Sequence, residues 1–137
     1  MKKVIFVVFL LISSLTIGQT IDKPPKKTSK ILIKNSNNKE VNFRMIGQLI
    51  IDNDFSIEKK DLDYLTMETT PMVSEGKTSI YYLKFIAKDN LIILTGMGKS
   101  RVNINFANIE DEYSKITNIG MSGSVAKDQF NTMIKFV

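Results

Sequence analysis

Gly96-Met97-Gly98-Lys99-Ser100 is the first stretch whose residue types and spacing could do chemistry, because it ends like a phosphate-binding loop. In such a loop, backbone N–H groups surround a phosphate and the lysine neutralises its charge. The complete motif has glycine where this chain has Ile93, and it opens a helix, whereas residues 101–106 alternate like a strand. The sequence therefore predicts a hairpin turn at 96–100 and no nucleotide site.

Acidic side chains around residue 55 form a second pattern, because Asp52, Asp54 and Glu58 resemble the first half of a calcium-binding loop. That loop requires glycine at its sixth position, which is Ile57, and a bidentate glutamate at its twelfth, which is Asp63. The alternation of apolar and polar residues around Ile57 favours a strand with a solvated polar face. A looser cation site at these carboxylates stays open.

Ser124-Val125-Ala126-Lys127 matches the SxxK motif of penicillin-interacting serine enzymes, in which a lysine one helical turn away acts on the serine hydroxyl. The companion motif is incomplete, because Lys77-Thr78-Ser79 lacks the final glycine and precedes the SxxK segment. Ser124 is therefore interpreted as a helix cap. The chain has no His and no Cys, which excludes Ser-His-Asp and Cys-His catalysis and zinc sites with those ligands. We thus predict a non-enzymatic protein without cofactor or metal.

Tyr81, Tyr82, Lys84 and Phe85 could form an aromatic and basic surface of the kind that binds single-stranded nucleic acid or glycans. Strand alternation places Tyr81 and Phe85 in the core, which leaves Tyr82 and Lys84 as the candidate contact residues. The net charge is +5, and removing two N-terminal lysines leaves 17 basic and 14 acidic residues. That modest, interleaved charge on an exported chain predicts no nucleic-acid partner.

Export is predicted from the first 18 residues, which have the parts of a secretory signal peptide. Met1-Lys2-Lys3 is basic, residues 4–12 are apolar, and residues 13–19 are small and polar, with cleavage expected near Gly18/Gln19. A membrane anchor is the alternative, but the apolar run is too short for about 30 Å of hydrocarbon. We therefore expect a periplasmic or secreted protein.

Residues 19–30 are predicted to be a linker, because Pro24-Pro25 cannot lie inside a helix or a central strand. Lysines are dense here, and the simplest interpretation is a solvated terminus. Electrostatic attraction to anionic lipid or polysaccharide is the alternative, and it would give a peripheral membrane contact. The lysines are Lys23, Lys26, Lys27, Lys30 and Lys34.

The element predicted to follow is a helix at about 38–52. Val41, Met45 and Leu49 repeat every four residues, and the stripe is widened by Ile46 and Ile50. Its ends carry helix signals as well, namely a capping box and a residue type that tolerates the left-handed conformation. These end residues are Asn37 with Glu40, and Asn53.

The rest of the chain predicts strands and one closing helix. Strands are expected at 31–33, 55–58, 64–69, 78–88, 91–95, 101–106 and 116–121, with turns at 59–63 and 96–100 and a loop at 70–77. The last helix, at about 123–137, would be capped by Ser122 or Ser124. Its apolar stripe is Ala126, Phe130, Met133, Ile134 and Val137. We predict one α+β domain at 31–137, an antiparallel sheet of about five strands with both helices on one face.

The chain has a helix that ends before an acidic residue and Phe55. A strand, a turn rich in Asp and Lys, and a second strand follow it. The same order of elements recurs in small exported domains. It resembles the repeated domain of the Bam-complex assembly lipoprotein, and secreted Bacteroidetes domains of unknown function with a TATA-binding-protein-like fold. The resemblance implies a fold and an envelope setting but no activity, and the lipid-anchor Cys of that lipoprotein is absent. It rests on Phe43, Ile46, Leu49, Ile50, Phe55, Ile57, Asp61, 65–69, and 120–124 with Phe130 and Met133.

These features favour an exported envelope domain that acts by protein–protein or surface contact, through a sheet face or edge. A periplasmic immunity or inhibitor protein that masks a toxin is one concrete version. The alternative is a small-ligand or lipid-binding domain with a cleft between the helices and the sheet. A filled core with an exposed apolar face would favour the first hypothesis, and a roomy apolar cavity the second.

Overall fold

The computed structural model describes residues 23–101 and 112–137, in which seven strands form one antiparallel sheet and two helices pack on one of its faces. The strand order is β1-β6-β5-β3-β2, with β4 beside β5 and β7 beside β6. This confirms the predicted α+β fold. The elements are β1 (Ile31–Lys34), α1 (Lys39–Asp52), β2 (Ile57–Asp61), β3 (Thr66–Thr69), β4 (Met72–Val73), β5 (Ser79–Lys88), β6 (Leu91–Ser100), β7 (Ser114–Lys115) and α2 (Val125–Ile134). The predicted signal peptide and most of the strand expected at 101–106 lie outside the described residues.

The hairpin of β5 and β6 forms the centre of the sheet, and every residue of β5 pairs with one of β6. Its inner face alternates as predicted, so that Tyr81, Leu83, Phe85 and Ala87 are buried. Both helices cover this face with apolar side chains, and burial of such side chains is the main favourable term in folding. The helical contribution comes from Phe43, Ile46, Ile50, Phe130 and Met133, together with Phe136 just beyond α2.

Strand β6 continues to Ser100, so the turn predicted at 96–100 is wrong. Gly96 and Gly98 lie on the inner face, opposite Leu83 and Tyr81. A Cβ atom at Gly96 would lie 2.7 Å from the Ile116 side chain, and one at Gly98 would lie 2.7 Å from the Gln129 amide nitrogen, so side chains of other elements approach both glycines closely. A phosphate-binding loop requires a following helix, and here the segment itself is a strand.

Helix α1 has the predicted extent, but its end residues are each shifted by one position. The N-cap is Asn38 instead of Asn37, because the Asn38 Oδ1 accepts a hydrogen bond of 2.9 Å from the N–H of Val41. At the other end Asn53 has φ −98°, and Asp54 adopts the left-handed conformation with φ 62°.

The buried face of α1 is rotated from the predicted stripe of Val41, Met45 and Leu49, because Met45 is 46% exposed. The buried face includes an amide: the Asn42 Nδ2 donates a hydrogen bond of 2.8 Å to the backbone oxygen of Lys88. A polar side chain with its hydrogen bonds satisfied can be buried, which an apolar pattern does not indicate. The buried residues are Asn42, Phe43, Ile46 and Ile50.

Helix α2 is capped by Ser124, whose Oγ accepts the N–H of Lys127 at 3.3 Å, which confirms one of the two predicted caps. The predicted apolar stripe is correct for Phe130 and Met133 and wrong at its end, where Ile134 and Val137 are exposed. The helix ends at Ile134, so helical periodicity no longer applies, and Phe136 turns into the core instead.

Three short strands differ from the expected positions. Strand β2 occupies part of the turn predicted at 59–63, and β4 lies within the loop predicted at 70–77. In place of a strand at 116–121, β7 pairs with β6 two residues earlier. The tight connection from β2 to β3 follows from Asp61, whose carboxylate accepts the N–H groups of Asp63 and Tyr64 at 2.9 Å each.

Candidate functional site: the outer face of the sheet

The outer face of the sheet is the surface opposite the two helices, and it carries alternate residues of β5 and β6. Along β5, these partly exposed residues alternate with buried ones. Along β6, the same alternation continues as far as Lys99. The face is therefore accessible in the central strands, where a sheet covered on both sides would be buried. Its residues are Ile80, Tyr82, Lys84 and Ile86 on β5, and Ile93, Thr95, Met97 and Lys99 on β6.

One row across the outer face is apolar. Ile86 pairs with Ile93, and Ile93 pairs with Leu32 of β1, so three branched side chains lie side by side. Leu32 is 54% exposed although it belongs to a strand of the sheet. Ile86 and Ile93 are partly exposed, so the row runs from the edge strand β1 into the centre of the sheet with its side chains accessible to a partner.

An aromatic and basic cluster lies further along the same face, and the cross-strand pair of Lys84 and Thr95 separates it from this row. The rings of Tyr82 and Tyr113 meet edge to face with centroids 5.2 Å apart. The Lys99 Nζ lies 4.9 Å from the centre of the Tyr113 ring, within the range of a cation–π contact. Of the predicted contact residues, Tyr82 therefore lies on this face, in a cluster that also contains Met97 as its cross-strand neighbour.

Lys84, the second predicted contact residue, is on the same face but is engaged in an ion pair. Its Nζ donates a hydrogen bond of 3.0 Å to one oxygen of Glu68, and the Nζ of Lys59 lies 3.3 Å from the other oxygen. Burial acts to raise the pKa of Glu68, but the hydrogen bonds and charges of Lys84 and Lys59 outweigh it and hold that pKa below its ordinary value. Lys84 is thus a fixed, partly neutralised charge.

Lysines surround the apolar part of the outer face. Cross-strand registers place Lys34 and Lys88 at one end of it, and Lys99 and Lys115 at the other. Both Lys34 and Lys88 are exposed. Protein interfaces combine apolar and aromatic residues with charged residues around them, and on this face the Lys84–Glu68 pair also lies between the aliphatic row and the aromatic cluster.

The predicted core residues of the same segment are buried as expected. Tyr81 and Phe85 point to the inner face, and burial, followed by the negative charges of Glu75 and Asp128, raises the pKa of Tyr81. They therefore contribute to the stability of the fold, and the contact surface is left to the alternate residues of the strand.

The other chemical patterns of the sequence do not assemble into sites in the structure. Asp52 accepts a hydrogen bond of 2.6 Å from Gln48, and within residues 23–101 and 112–137 no group of three acidic side chains could hold a metal ion. In the SxxK segment the Ser124 Oγ caps α2, and the Lys127 Nζ donates to Asn118 at 2.6 Å. Neither described helix has the length and apolar character needed to cross a membrane.

Three members of the aromatic and basic cluster do not follow from the sequence prediction, namely Tyr113, Met97 and Lys99. Tyr113 belongs to the irregular region after 107, and its place beside Tyr82 depends on the pairing of β7 with β6. Met97 and Lys99 belong to the turn predicted at 96–100, and in a turn a side chain has no defined face. Extending the alternation of 91–95 through the two glycines would have placed Lys99 on the outer face.

No protein-family profile, curated protein or solved structure matches this chain. The resemblance to the Bacteroidetes domains and the assembly lipoprotein stays a prediction.

Proposed function

We propose that the chain is a non-enzymatic, exported domain of the bacterial envelope that binds a protein partner through the outer face of its sheet. The observation that carries the proposal is the apolar and aromatic centre of that face, on the side of the sheet away from both described helices. Tyrosine is enriched among the residues that dominate binding energy, and Tyr82 and Tyr113 already hold one another in place. Rings that already pack against one another lose little side-chain freedom when a partner covers them.

A protein fits this face better than a small molecule does, because the face is a sheet surface and not a cleft. The alternative is a ligand cleft between the helices and the sheet. Side chains fill the described part of the space between them, which leaves little room for a ligand. Six apolar side chains there are completely inaccessible to solvent: Ile46, Ile50, Leu83, Phe85, Leu94 and Met133.

The charge of the face defines the partner's chemistry. Among the described residues, six lysines and two carboxylates lie on or around it, so the complementary surface has acidic and apolar residues. They are Lys34, Lys59, Lys84, Lys88, Lys99 and Lys115, with Glu68 and Asp61. An inhibitor or immunity protein that masks such a surface on a toxin is one form of this function. Within residues 23–101 and 112–137, β1 pairs only with β6, so its other edge is available to a strand of the partner.

Site-directed photo-cross-linking in cells that express the full chain tests the proposal. A photoreactive phenylalanine analogue at Tyr82 is expected to cross-link to one protein in the envelope fraction. The same analogue at Ile51, which is 60% exposed on α1, is the matched control and is expected to give no such product. The intact mass of the recovered protein also reports whether cleavage occurred near Gly18.

A substitution on the apolar row gives a second readout. Ile93→Lys adds a charge between Ile86 and Leu32, and it is expected to abolish the cross-link while leaving the circular dichroism spectrum unchanged. Ile51→Lys is the control and is expected to leave the cross-link intact. Equal cross-linking from positions 82 and 51, or an unchanged product in Ile93→Lys, would contradict the proposal.

A further inference from the structure

A groove lined by lysines lies between the N-terminal segment 23–28 and the segment 118–121, and we call it the lysine groove. It encloses about 720 Å³ and opens to the surface. The lysines that line it are Lys23, Lys26, Lys27 and Lys127. The first three belong to the region interpreted from sequence as a solvated linker, so their positions in a defined groove are a finding of the structure.

Asn118 holds the N-terminal segment in place. Its Nδ2 donates hydrogen bonds of 2.8 Å to the backbone oxygens of Pro24 and Pro25, and its backbone N–H donates to Thr28 at 2.7 Å. The N–H of Lys27 in turn donates to the Asn118 backbone oxygen at 2.9 Å. Since Asn118 is itself buried, the lysines of the segment start from a fixed backbone.

The lysine groove has a strong positive charge. Among the described residues, its lining contains four ammonium groups and no carboxylate. The one described side-chain hydrogen bond of these lysines is that of Lys127, which donates to the neutral oxygen of Asn118 at 2.6 Å. A neutral acceptor fixes the position of the ammonium group without cancelling its charge. The groove therefore attracts an anion.

Apolar side chains project beside these charges. Met121 is 83% exposed and Ile119 is 49% exposed, and both line the groove with the lysines. They flank Gly120, whose φ of 84° produces the turn that presents them. Lysines next to exposed aliphatic side chains are the combination that binds the interface of an anionic bilayer, with ammonium groups at the phosphates and apolar tips below them.

We infer that the lysine groove is a docking site for an anionic phospholipid surface. The lysines bind lipid phosphates, and Met121 and Ile119 enter the boundary between headgroups and acyl chains. A soluble polyanion would use the lysines alone and leave the two apolar side chains in water, so the groove fits a bilayer better. This inference rests on a different surface from the protein-binding face, and either can fail without the other.

Vesicle co-sedimentation tests the inference, with protein purified from cells that express the full chain. Phosphatidylcholine vesicles with about 30% phosphatidylglycerol are expected to bind the protein, and pure phosphatidylcholine vesicles are not. Each lysine near an anionic surface contributes roughly fivefold, so Lys26→Gln with Lys27→Gln should weaken binding about 25-fold. The matched control, Lys34→Gln with Lys88→Gln, removes the same charge elsewhere and should weaken binding by less than about threefold.

Met121→Ser separates the bilayer from a soluble polyanion. Its side chain is exposed, so the fold is unaffected, and binding to the anionic vesicles should weaken roughly fivefold. Binding to dextran sulfate, which needs only the lysines, should be unchanged. The inference would be overturned if the two lysine double variants lost the same amount of vesicle binding. It would also be overturned if Met121→Ser left vesicle binding unchanged, and that result would indicate a site for anionic polymers.

Discussion

Replacement of Gly96 by alanine is the most direct test of how β6 is packed. The new Cβ would lie 2.7 Å from the Cδ1 of Ile116, 3.2 Å from the Sδ of Met133 and 3.3 Å from the Cδ2 of Leu83. All three side chains are fully or almost fully buried, so the extra methyl group has no solvent to move into. Insertion of a methyl group into a packed core costs about 1–3 kcal/mol.

The free energy of unfolding, measured by urea denaturation with circular dichroism, is therefore expected to fall by about 1–3 kcal/mol in Gly96→Ala. In a domain of this size that loss lowers the Tm by roughly 4 °C or more. If residues 96–100 formed the exposed turn that the glycines suggest, the same substitution would be nearly neutral.

Gly47→Ala is the matched control, because its Cβ would lie 3.4 Å from the Met67 side chain, an ordinary contact. Alanine is favoured over glycine inside a helix by about 1 kcal/mol, so this variant is expected to be more stable than the original protein. Gly96→Ala with unchanged or increased stability would refute the close approach of Ile116 and Met133 to the strand.

Two further predictions concern single side chains. Lys84 and Lys59 hold the pKa of Glu68 below its ordinary value, so their pairing with the Glu68 carboxylate stabilises the folded protein. This stabilisation is fully present at pH values above the ordinary glutamate pKa. It is lost as the pH falls through the lowered pKa of Glu68. At pH 7, Glu68→Gln is therefore expected to be less stable than the original protein by about 1 kcal/mol or less, and this difference should vanish in acid. A difference in stability that does not change with pH would contradict this explanation. Asn38→Ala removes the cap of α1 and should cost about 1 kcal/mol, whereas Asn37→Ala should cost less. Urea denaturation of both variants checks the assignment, which a larger effect at Asn37 would refute.

The sequence alone was sufficient to predict those elements whose conformation depends on residues close by in the chain. In β5 the alternation of buried and exposed side chains is local, so Tyr81, Leu83 and Phe85 were placed correctly. The extent of α1 and the cap of α2 at Ser124 also follow from residues within one turn. The class of the fold followed from the order of these elements.

Long-range packing decided what the local pattern could not. Two glycines near a lysine indicate a turn when only neighbours are considered, but Gly96 is required by Ile116 and Met133, which approach from other elements. Burial of Asn42 on α1 likewise depends on the backbone oxygen of Lys88, 46 positions away. A local pattern contains no information about such partners.

The same division holds for the candidate sites. Alternation within β5 already placed Tyr82 and Lys84 away from the core, because a strand has two faces. Strand pairing decided which residues these two side chains contact. Tyr82 contacts Tyr113, and Lys84 contacts Glu68. In this protein the sequence determined which residues can face outward, and the tertiary structure decided what they meet there, because those contacts join residues that are distant along the chain.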